Sequence, residues 1–283
     1  MSRQIGREIS RIGSFVVILC TLAGPSAQGQ TPTNSDPVEL KSLPHQFIRD
    51  EARLWRSPFQ KKNYDSHSFK KYVIPFAILS AAMLATDRKT SDAQPNTLDQ
   101  TKWSGRVSDI GAWYSLLGFT GGSYLTGKFT GNTHAKEAGL LGMEALGHAQ
   151  VVVFAMKEVA NRERPLDHDG HGSFWEGGSS FPSGHSASAF AVATVYAYEY
   201  RDHIAVPIAA YSLASLVSAS RLSARRHWVS DIFVGGSIGF LIGRFTYKRN
   251  HDPKLPGSPV SRQSRLIPDV GVGGANVVLT WRQ

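Results

Sequence analysis

Cysteine is almost absent from this chain of 283 residues, whose one cysteine is Cys20. Because Cys20 lies in an N-terminal segment that we expect to be removed, the mature chain would have none. Disulfide bonds and thiol catalysis are therefore excluded. The bulky residues before Cys20, which are Val17, Ile18 and Leu19, also argue against a lipoprotein attachment site.

The first 29 residues have the pattern of a secretory signal peptide. Three arginines precede an apolar run from Phe15 to Ala23, and small and polar residues follow as far as Gly29. This order of a basic, an apolar and a small-residue region is typical of export signals. We predict that residues 1–29 are removed on export to the periplasm, and an uncleaved membrane anchor is the alternative.

Long hydrophobic runs are also lacking. The apolar runs reach about 14–17 residues before a charge, whereas a membrane-spanning helix needs about 20. The mean hydropathy is −0.20. A soluble or surface-bound periplasmic domain is therefore favoured, and an integral protein of the inner membrane is the alternative.

The sequence has no dense stripe of basic residues interleaved with aromatic residues, which argues against a nucleic-acid partner. Its charge is nevertheless unbalanced, because 31 Lys and Arg against 22 Asp and Glu give a formal net charge of +9. A basic surface attracts anions over long distances. We therefore expect anionic partners such as phosphates or acidic lipid surfaces.

Six apolar runs rich in small residues predict an all-α fold, a bundle of about six helices with the active site at one end in helix-terminal loops. The runs cover about 72–86, 107–126, 135–160, 184–200, 204–219 and 230–247. They define a helical domain, 71–249, preceded by a polar lead-in, 30–70, with one short helix near 51–55. The tail, 250–283, contains a candidate short strand at 275–281.

The first of three motif clusters is Lys157-x6-Arg164-Pro165. Seven residues are close to two helical turns, so a helix would carry Lys157 and Arg164 on one face and end at Pro165. Both cations would then point toward the following loop. Taken alone, the pair also suits an ordinary helix C-terminus, where basic side chains complement the helix dipole.

The second cluster is Phe181-Pro182-Ser183-Gly184-His185, which leads directly into a predicted helix. Ser183 would cap this helix, and the free N–H groups around Gly184 would form an anion site at its positive end. His185 would stand beside a bound anion. The alternative is an ordinary capped helix with a polar histidine near its start.

The third cluster is Ser220-Arg221-x5-His227-x3-Asp231. On a helix, a spacing of four would place Asp231 beside His227, where it could accept one ring N–H and leave the other nitrogen unprotonated. A histidine prepared in this way is a nucleophile. Arg221 offers a planar fork for phosphate oxygens. A surface His–Asp pair is the alternative interpretation.

Together the three clusters resemble, in order and spacing, the signature of the type 2 phosphatidic acid phosphatase family, which also includes bacterial acid phosphatases and vanadium haloperoxidases. No signature position departs from the pattern. The resemblance implies hydrolysis of phosphomonoesters or diphosphates through a phosphohistidine intermediate. The substrates would be lipid phosphates, such as phosphatidic acid or isoprenoid diphosphates, or soluble esters.

By this resemblance, His227 would attack phosphorus, His185 would protonate the departing oxygen, and Asp231 would orient His227. The phosphate oxygens would be held by Lys157, Arg164, Ser183, Gly184 and Arg221. Three cations around one phosphoryl group stabilise its charge, so neither a metal nor another cofactor is expected. A neutral His227 with a charged His185 predicts a bell-shaped pH–rate profile.

Two other functions compete with this one. A vanadate-dependent haloperoxidase would hold vanadate in the same cage. A phosphate-binding module without turnover would need the cations but neither histidine. The acidic and histidine residues at 167–171 fit no strong metal-ligand pattern and are interpreted as a loop at the substrate mouth. His148, in the middle of an apolar run, is interpreted as a core histidine.

Overall fold

The computed structural model describes residues 40–57, 60, 69–95, 97–167, 171–252, 255, 269–273 and 276–280. Within these residues the chain forms eight α-helices and one antiparallel β-hairpin. The helices are α1 (Leu43–Arg56), α2 (Ile74–Asp92), α3 (Leu98–Ile110), α4 (Trp113–Thr130), α5 (Thr133–Ala160), α6 (Gly184–Glu199), α7 (Ala205–Ser223) and α8 (Val229–Asn250). The strands are β1 (Asp269–Gly273) and β2 (Asn276–Thr280), and a π-helical turn, Phe69–Val73, precedes α2. The expected signal peptide, 1–29, lies outside the described residues.

The body of the molecule is an all-α bundle, as predicted. Five of the six predicted runs correspond to α2, α5, α6, α7 and α8, and the predicted strand corresponds to β2. The run 107–126 is wrong as a single helix, because the chain breaks at Gly111 between α3 and α4. A Cβ on Gly111 would lie 2.2 Å from Val217 Cγ1, so the break lets the backbone approach α7 closely. Most of α3 is polar, and hydrophobic periodicity therefore does not reveal it.

A stripe of glycines fixes α8 against α6. A Cβ on Gly235, Gly239 or Gly243 would lie between 2.1 and 2.5 Å from a backbone oxygen of α6 or its cap. The oxygens belong, in the same order, to Ser183, Ala187 and Ala191. Since both series advance by one helical turn, the two helices run parallel at close backbone distance. The start of α6 and the start of α8 are thereby held side by side.

α5 runs in the opposite direction to α6. Gln150 Nε2 in α5 donates to Ser188 Oγ in α6, and His134 at the start of α5 contacts Glu199 at the end of α6. The C-terminal end of α5 therefore meets the N-terminal ends of α6 and α8. Between these ends, a fully buried apolar core holds the helices together, including Leu140, Leu141, Val195, Ile238 and Ile242.

Among the described residues, three helices are long and apolar enough to cross a membrane, judged by length and composition: α5, α7 and α8. The expectation that the runs are too short is wrong for these three, because each helix continues through its isolated charged residues. Glu144 in α5, for example, is buried and accepts from Asn250 Nδ2 at 3.0 Å. In α7 only 22% of the apolar window is buried, and Ile208, Leu213 and Leu216 are exposed.

Candidate active site

Lys157 and Arg164 meet at a residue of the loop that follows α5. The helix ends just before Asn161, which has a left-handed backbone (φ 41°), so Arg164 lies beyond it. Lys157 Nζ donates to the Ser179 carbonyl, and Arg164 Nη2 donates to Ser179 Oγ at 3.0 Å. The prediction of one helical face ending at Pro165 is therefore wrong. The loop, rather than helical spacing, brings the two cations together.

A buried arginine that sequence reasoning missed, Arg162, ties this loop to α2 and α8. Its guanidinium donates to Asp231 Oδ1 at 2.5 Å, to Asp87 Oδ2 at 2.8 Å and to Ser230 Oγ at 2.8 Å. Its Nε donates to the Gly172 carbonyl at 3.0 Å. No spacing pattern links Arg162 to Asp87, which lies far away in the sequence. Removing one partner of such a buried pair costs about 3–5 kcal/mol, because a buried charge is left unpaired.

His227 is held by a backbone carbonyl. It precedes α8 and is 2% exposed, and its Nδ1 lies 2.7 Å from the Ser180 carbonyl oxygen. A carbonyl can only accept, so Nδ1 carries the proton and Nε2 keeps its lone pair. Asp231 Oδ2 is 3.7 Å from the same Nδ1. The prediction that Asp231 accepts the ring N–H from one helical turn away is therefore corrected to Ser180.

Asp231 instead holds the segments on both sides of the ring. Ser180 Oγ and the Trp228 backbone N–H donate to Asp231 Oδ2 at 2.5 Å and 2.9 Å. The second contact caps the start of α8. Asp231 thus positions His227 through Ser180, whose carbonyl accepts from the ring, and through Trp228, the next residue in the chain. Its negative charge lies close to the ring.

The start of α6 has the predicted cap. Ser183 is fully buried, and its Oγ accepts from the Ser186 backbone N–H at 3.5 Å and from Ser186 Oγ at 3.1 Å. The Ser183 N–H donates to the Asp231 carbonyl at 3.0 Å, which joins this turn to α8. A Cβ on Gly184 would make only an ordinary 3.5 Å contact with Val153, so the protein's own packing does not require glycine there.

Arg221 reaches the site from the last turn of α7. Its Nη1 donates to Ser108 Oγ at 2.7 Å. Ser108 is buried near the end of α3, the helix that hydrophobic periodicity does not reveal. No signature spacing could therefore have identified Ser108 as the residue that orients Arg221.

The charges around the histidines indicate that the predicted residues share one site. Burial, joined by the positive charges of Arg221, His227, Lys157 and Arg164, lowers the pKa of His185 to about 3. Burial likewise lowers the pKa of His227 to about 4, against the raising effect of Asp231. Both imidazoles are therefore neutral near pH 7 while the site is empty.

Two of the predicted phosphate-binding arginines each have a buried N–H without a hydrogen-bond partner among the described residues, namely Arg164 Nε and Arg221 Nε. Buried N–H groups are seldom left unpaired, so an oxygen-rich anion is the ligand that fits them. The arrangement therefore offers an anion cage of three cations next to an imidazole with a free Nε2. We call this cluster, defined by Lys157, Arg164, His185, Arg221 and His227, the basic end.

The remaining predictions concern residues away from the cage. His168 and Asp169 lie outside the described residues, and Asp167 and His171 are exposed. The interpretation of His148 as a core histidine is confirmed. It is fully buried, its Nδ1 pairs with Glu51 Oε2 at 2.5 Å, and its ring stacks on Phe47 at 4.3 Å.

Residues 138–254, which contain the cage and most of α5–α8, match the family model of the PAP2 superfamily. Over these residues the chain is similar to the PAP2 superfamily. The family resemblance inferred from the three motif clusters is thereby confirmed. All three clusters, from Lys157 to Asp231, lie inside the matched residues.

Two curated proteins are similar to parts of this chain. A lipid A 1-phosphatase of Porphyromonas gingivalis is 41% identical over 70 residues, which are 24% of this chain and 16% of that protein. Phosphatidylglycerophosphatase B of Bacillus subtilis is 34% identical over 125 residues, which are 41% of this chain and 59% of that protein. The chain thus spans less than two thirds of either relative.

One solved structure supports the fold at the level of the whole helical domain. It is the crystal structure of a transmembrane PAP2-type phosphatidylglycerolphosphate phosphatase from Bacillus subtilis, with a TM-score of 0.51 and 25% identity. The alignment covers 64% of this chain and 96% of that chain. The helical bundle is therefore similar to that of a transmembrane protein of PAP2 type.

Proposed function

We propose that this chain is a metal-independent phosphatase that acts through a phosphohistidine on His227. The observation that carries the proposal is the 2.7 Å contact from His227 Nδ1 to the Ser180 carbonyl, which leaves Nε2 unprotonated. A neutral imidazole nitrogen next to an anion cage is equipped to attack phosphorus. The two unpaired guanidinium N–H groups are the donors that phosphate oxygens would engage.

In the first step, His227 Nε2 forms a bond to phosphorus while the bond from phosphorus to the leaving oxygen breaks. His185 gives its proton to that oxygen, so the alcohol or phosphate leaves neutralised. Lys157, Arg164 and Arg221 stabilise the charge on the equatorial oxygens, which is why the step needs no metal. In the second step, water gives a proton to His185 and attacks phosphorus, and the N–P bond breaks to release inorganic phosphate.

The sequence-based expectation that His185 starts the cycle charged is corrected here to a neutral His185 in the empty site. With its pKa lowered to about 3, His185 is neutral in the empty site near pH 7. A phosphate monoester has a second pKa near 6, so it can bring the missing proton as a monoanion. We infer that binding of the anion restores the charge on His185. The acid is thus prepared by the substrate.

We propose lipid phosphates as the substrate class. The similar curated proteins are named as a lipid A phosphatase and a phosphatidylglycerophosphatase. The outer surface agrees with a membrane setting, because α7 exposes apolar residues and α4 exposes Phe119 and Phe129. Large exposed apolar surfaces mark membrane or partner contacts. A cage at the ends of such helices is placed to meet a phosphate headgroup.

We further propose an inner-membrane location with the basic end at the periplasmic face, as the export-type segment at 1–29 suggests. Intact cells should hydrolyse p-nitrophenyl phosphate, added outside the inner membrane, as fast as lysed cells do. Activity that emerges only on lysis would contradict this orientation.

The test of the activity is phosphate release in EDTA by the purified full chain, from p-nitrophenyl phosphate, phosphatidic acid and an isoprenoid diphosphate. Release should fall by at least about 10³-fold in His227→Ala, because the nucleophile is gone. His203→Gln, which changes an exposed histidine between α6 and α7, should behave as the wild type. Acid-labile phosphate trapped on the wild type and missing from His227→Ala would support the intermediate.

Other results, from the phosphate-release assay or from related assays of the same protein, would reject the proposal. No release from any substrate, with full affinity for phosphate, would indicate a binding module. Peroxide-dependent halide oxidation after addition of vanadate would indicate a haloperoxidase. Equal release by the wild type and His227→Ala would exclude His227 as the nucleophile.

A further inference from the structure

A second cluster of titratable side chains lies where α5 begins and where α6 and α8 end. His251 Nδ1 lies 3.1 Å from Glu137 Oε1 and 3.6 Å from Glu199 Oε2. His134 Nδ1 lies 2.5 Å from Glu199 Oε1. We call these four residues, Glu137, Glu199, His134 and His251, the acidic end.

The acidic end is remote from the basic end. Glu137 and Lys157 belong to the same helix and are 20 positions apart, which corresponds to about 30 Å at 1.5 Å per residue. The same helices therefore carry both clusters at opposite ends. The acidic end is therefore too far from the proposed phosphate site to take part in the reaction, so its role must be a different one.

Two carboxylate oxygens of this cluster are buried and have no hydrogen-bond partner among the described residues, namely Glu137 Oε2 and Glu199 Oε2. The Glu199 side chain is 0% exposed and that of Glu137 is 9% exposed. Glu199 Oε2 nevertheless faces His251 Nδ1. Buried carboxylate oxygens are costly to leave unpaired, so a cation between the two side chains is the ligand they lack.

The charge of the two carboxylates and the distances between the side chains both favour a bound cation. One oxygen of each glutamate and one nitrogen of His251 lie within 4.8 Å of one another, which is compact enough for a shared ion. Two carboxylates together carry the charge that a divalent cation neutralises. The Asp252 backbone N–H donates to Glu137 Oε1 at 2.6 Å and holds that side chain in place, as outer contacts do around metal ligands.

We propose that Glu137, Glu199 and His251 bind a divalent transition-metal ion that joins the ends of α5, α6 and α8. A set of two carboxylates and one imidazole suits Zn²⁺ and its first-row neighbours better than Mg²⁺ or Ca²⁺, which prefer oxygen ligands. His134, whose side chain is 31% exposed, orients Glu199 from the solvent side. The ion stabilises the bundle at a distance from the reacting phosphate.

The test is metal binding by the full chain in detergent, after EDTA treatment and dialysis against Zn²⁺. Bound metal is counted by mass spectrometry, and thermal unfolding is followed with and without Zn²⁺. The wild type should bind one more Zn²⁺ per chain than His251→Gln or Glu199→Gln. Zn²⁺ in large excess over its Kd should raise the Tm of the wild type by roughly 5–10 °C and leave both variants unchanged.

His203→Gln is the matched control, because it removes a histidine that is exposed near the same end. It should keep both the extra ion and the Tm rise. Equal Zn²⁺ content and equal Tm rise in the wild type and His251→Gln would overturn the proposal. If both ligand variants misfold, Zn²⁺ binding by the wild type alone still tests the proposal, because the absence of saturable binding would overturn it. Phosphate release by metal-free protein is a separate readout, so failure here leaves the phosphatase proposal standing.

Discussion

At the basic end of the bundle, three cationic side chains surround two histidines, whereas at the acidic end two carboxylates adjoin two histidines. The ends of α5, α6 and α8 supply residues to both clusters. At the basic end, burial and, to a smaller extent, neighbouring positive charges keep the imidazoles neutral, which suits attack on phosphorus. At the acidic end, the carboxylates contact the imidazoles directly, which suits a bound cation. Histidine would thus act on an anion at the basic end and bind a cation at the acidic end, because its charged neighbours differ between the two ends.

The largest loss of activity should come from His185→Ala, a change at the basic end that leaves the acidic end intact. Without its leaving-group acid, the enzyme should lose about 10²–10⁴-fold in kcat on an alkyl phosphate, whose leaving oxygen needs a proton. The loss on p-nitrophenyl phosphate should be much smaller, because nitrophenolate leaves without one. Steady-state rates on both substrates check this. Equal losses would mean that His185 only helps to bind phosphate, and His203→Gln should lose nothing on either substrate.

The pH profile tests whether burial, together with the nearby positive charges, keeps the histidines of the basic end neutral. Below pH 4, His227 gains a proton and loses its lone pair, so kcat/KM should fall about tenfold per pH unit. Above the second phosphate pKa, near 6, the substrate no longer brings the proton that His185 needs, and kcat/KM should fall again. The profile should therefore be a bell with its maximum between these values. A flat profile between pH 4 and 9 would contradict the assignment of both histidines.

The side chains that we propose to touch a bound phosphate are ones that the sequence motifs predicted. In this proposal Lys157, His185, Arg221 and His227 carry the chemistry themselves, and their spacing within each motif is local. A short motif can therefore reveal them from the amino-acid sequence alone. The all-α bundle was also predictable, because six runs of small and apolar residues are each too long for a typical strand and therefore indicate helices.

The residues that hold those groups in place were not predictable. Ser180 acts through its backbone carbonyl, so no side-chain pattern could mark it. Arg162 and Ser108 act across about 70 to 110 positions of sequence, through partners that only the packed bundle brings close. Motif spacing also misplaced Arg164 and Asp231, because it assumed helices where the chain forms a loop and a cap.

The close approach of α6 and α8 can be tested at Gly239. A Cβ there would lie 2.1 Å from the Ala187 carbonyl oxygen, so Gly239→Ala should push the helices apart and cost about 1–3 kcal/mol of stability. Gly121→Ala is the matched control, since nothing lies within 4 Å of its Cβ and alanine favours a helix. Thermal unfolding should show a lower Tm for the first and an equal or higher Tm for the second. The same Tm for both would mean that the glycine stripe does not set the helix spacing.

The smallest effect should come from Ser108→Ala, which removes the 2.7 Å hydrogen bond to Arg221 but leaves every cation of the basic end in place. Loss of one such bond is worth about 0.5–1.5 kcal/mol, so kcat/KM should fall by about 2–12-fold. Ser108→Thr keeps the hydroxyl and should recover most of the activity. A purely structural role would lower the Tm of Ser108→Ala with little change in kcat/KM per folded molecule. A lower kcat/KM at unchanged Tm, restored by threonine, would instead establish that the orientation of Arg221, and not only its charge, serves the reaction.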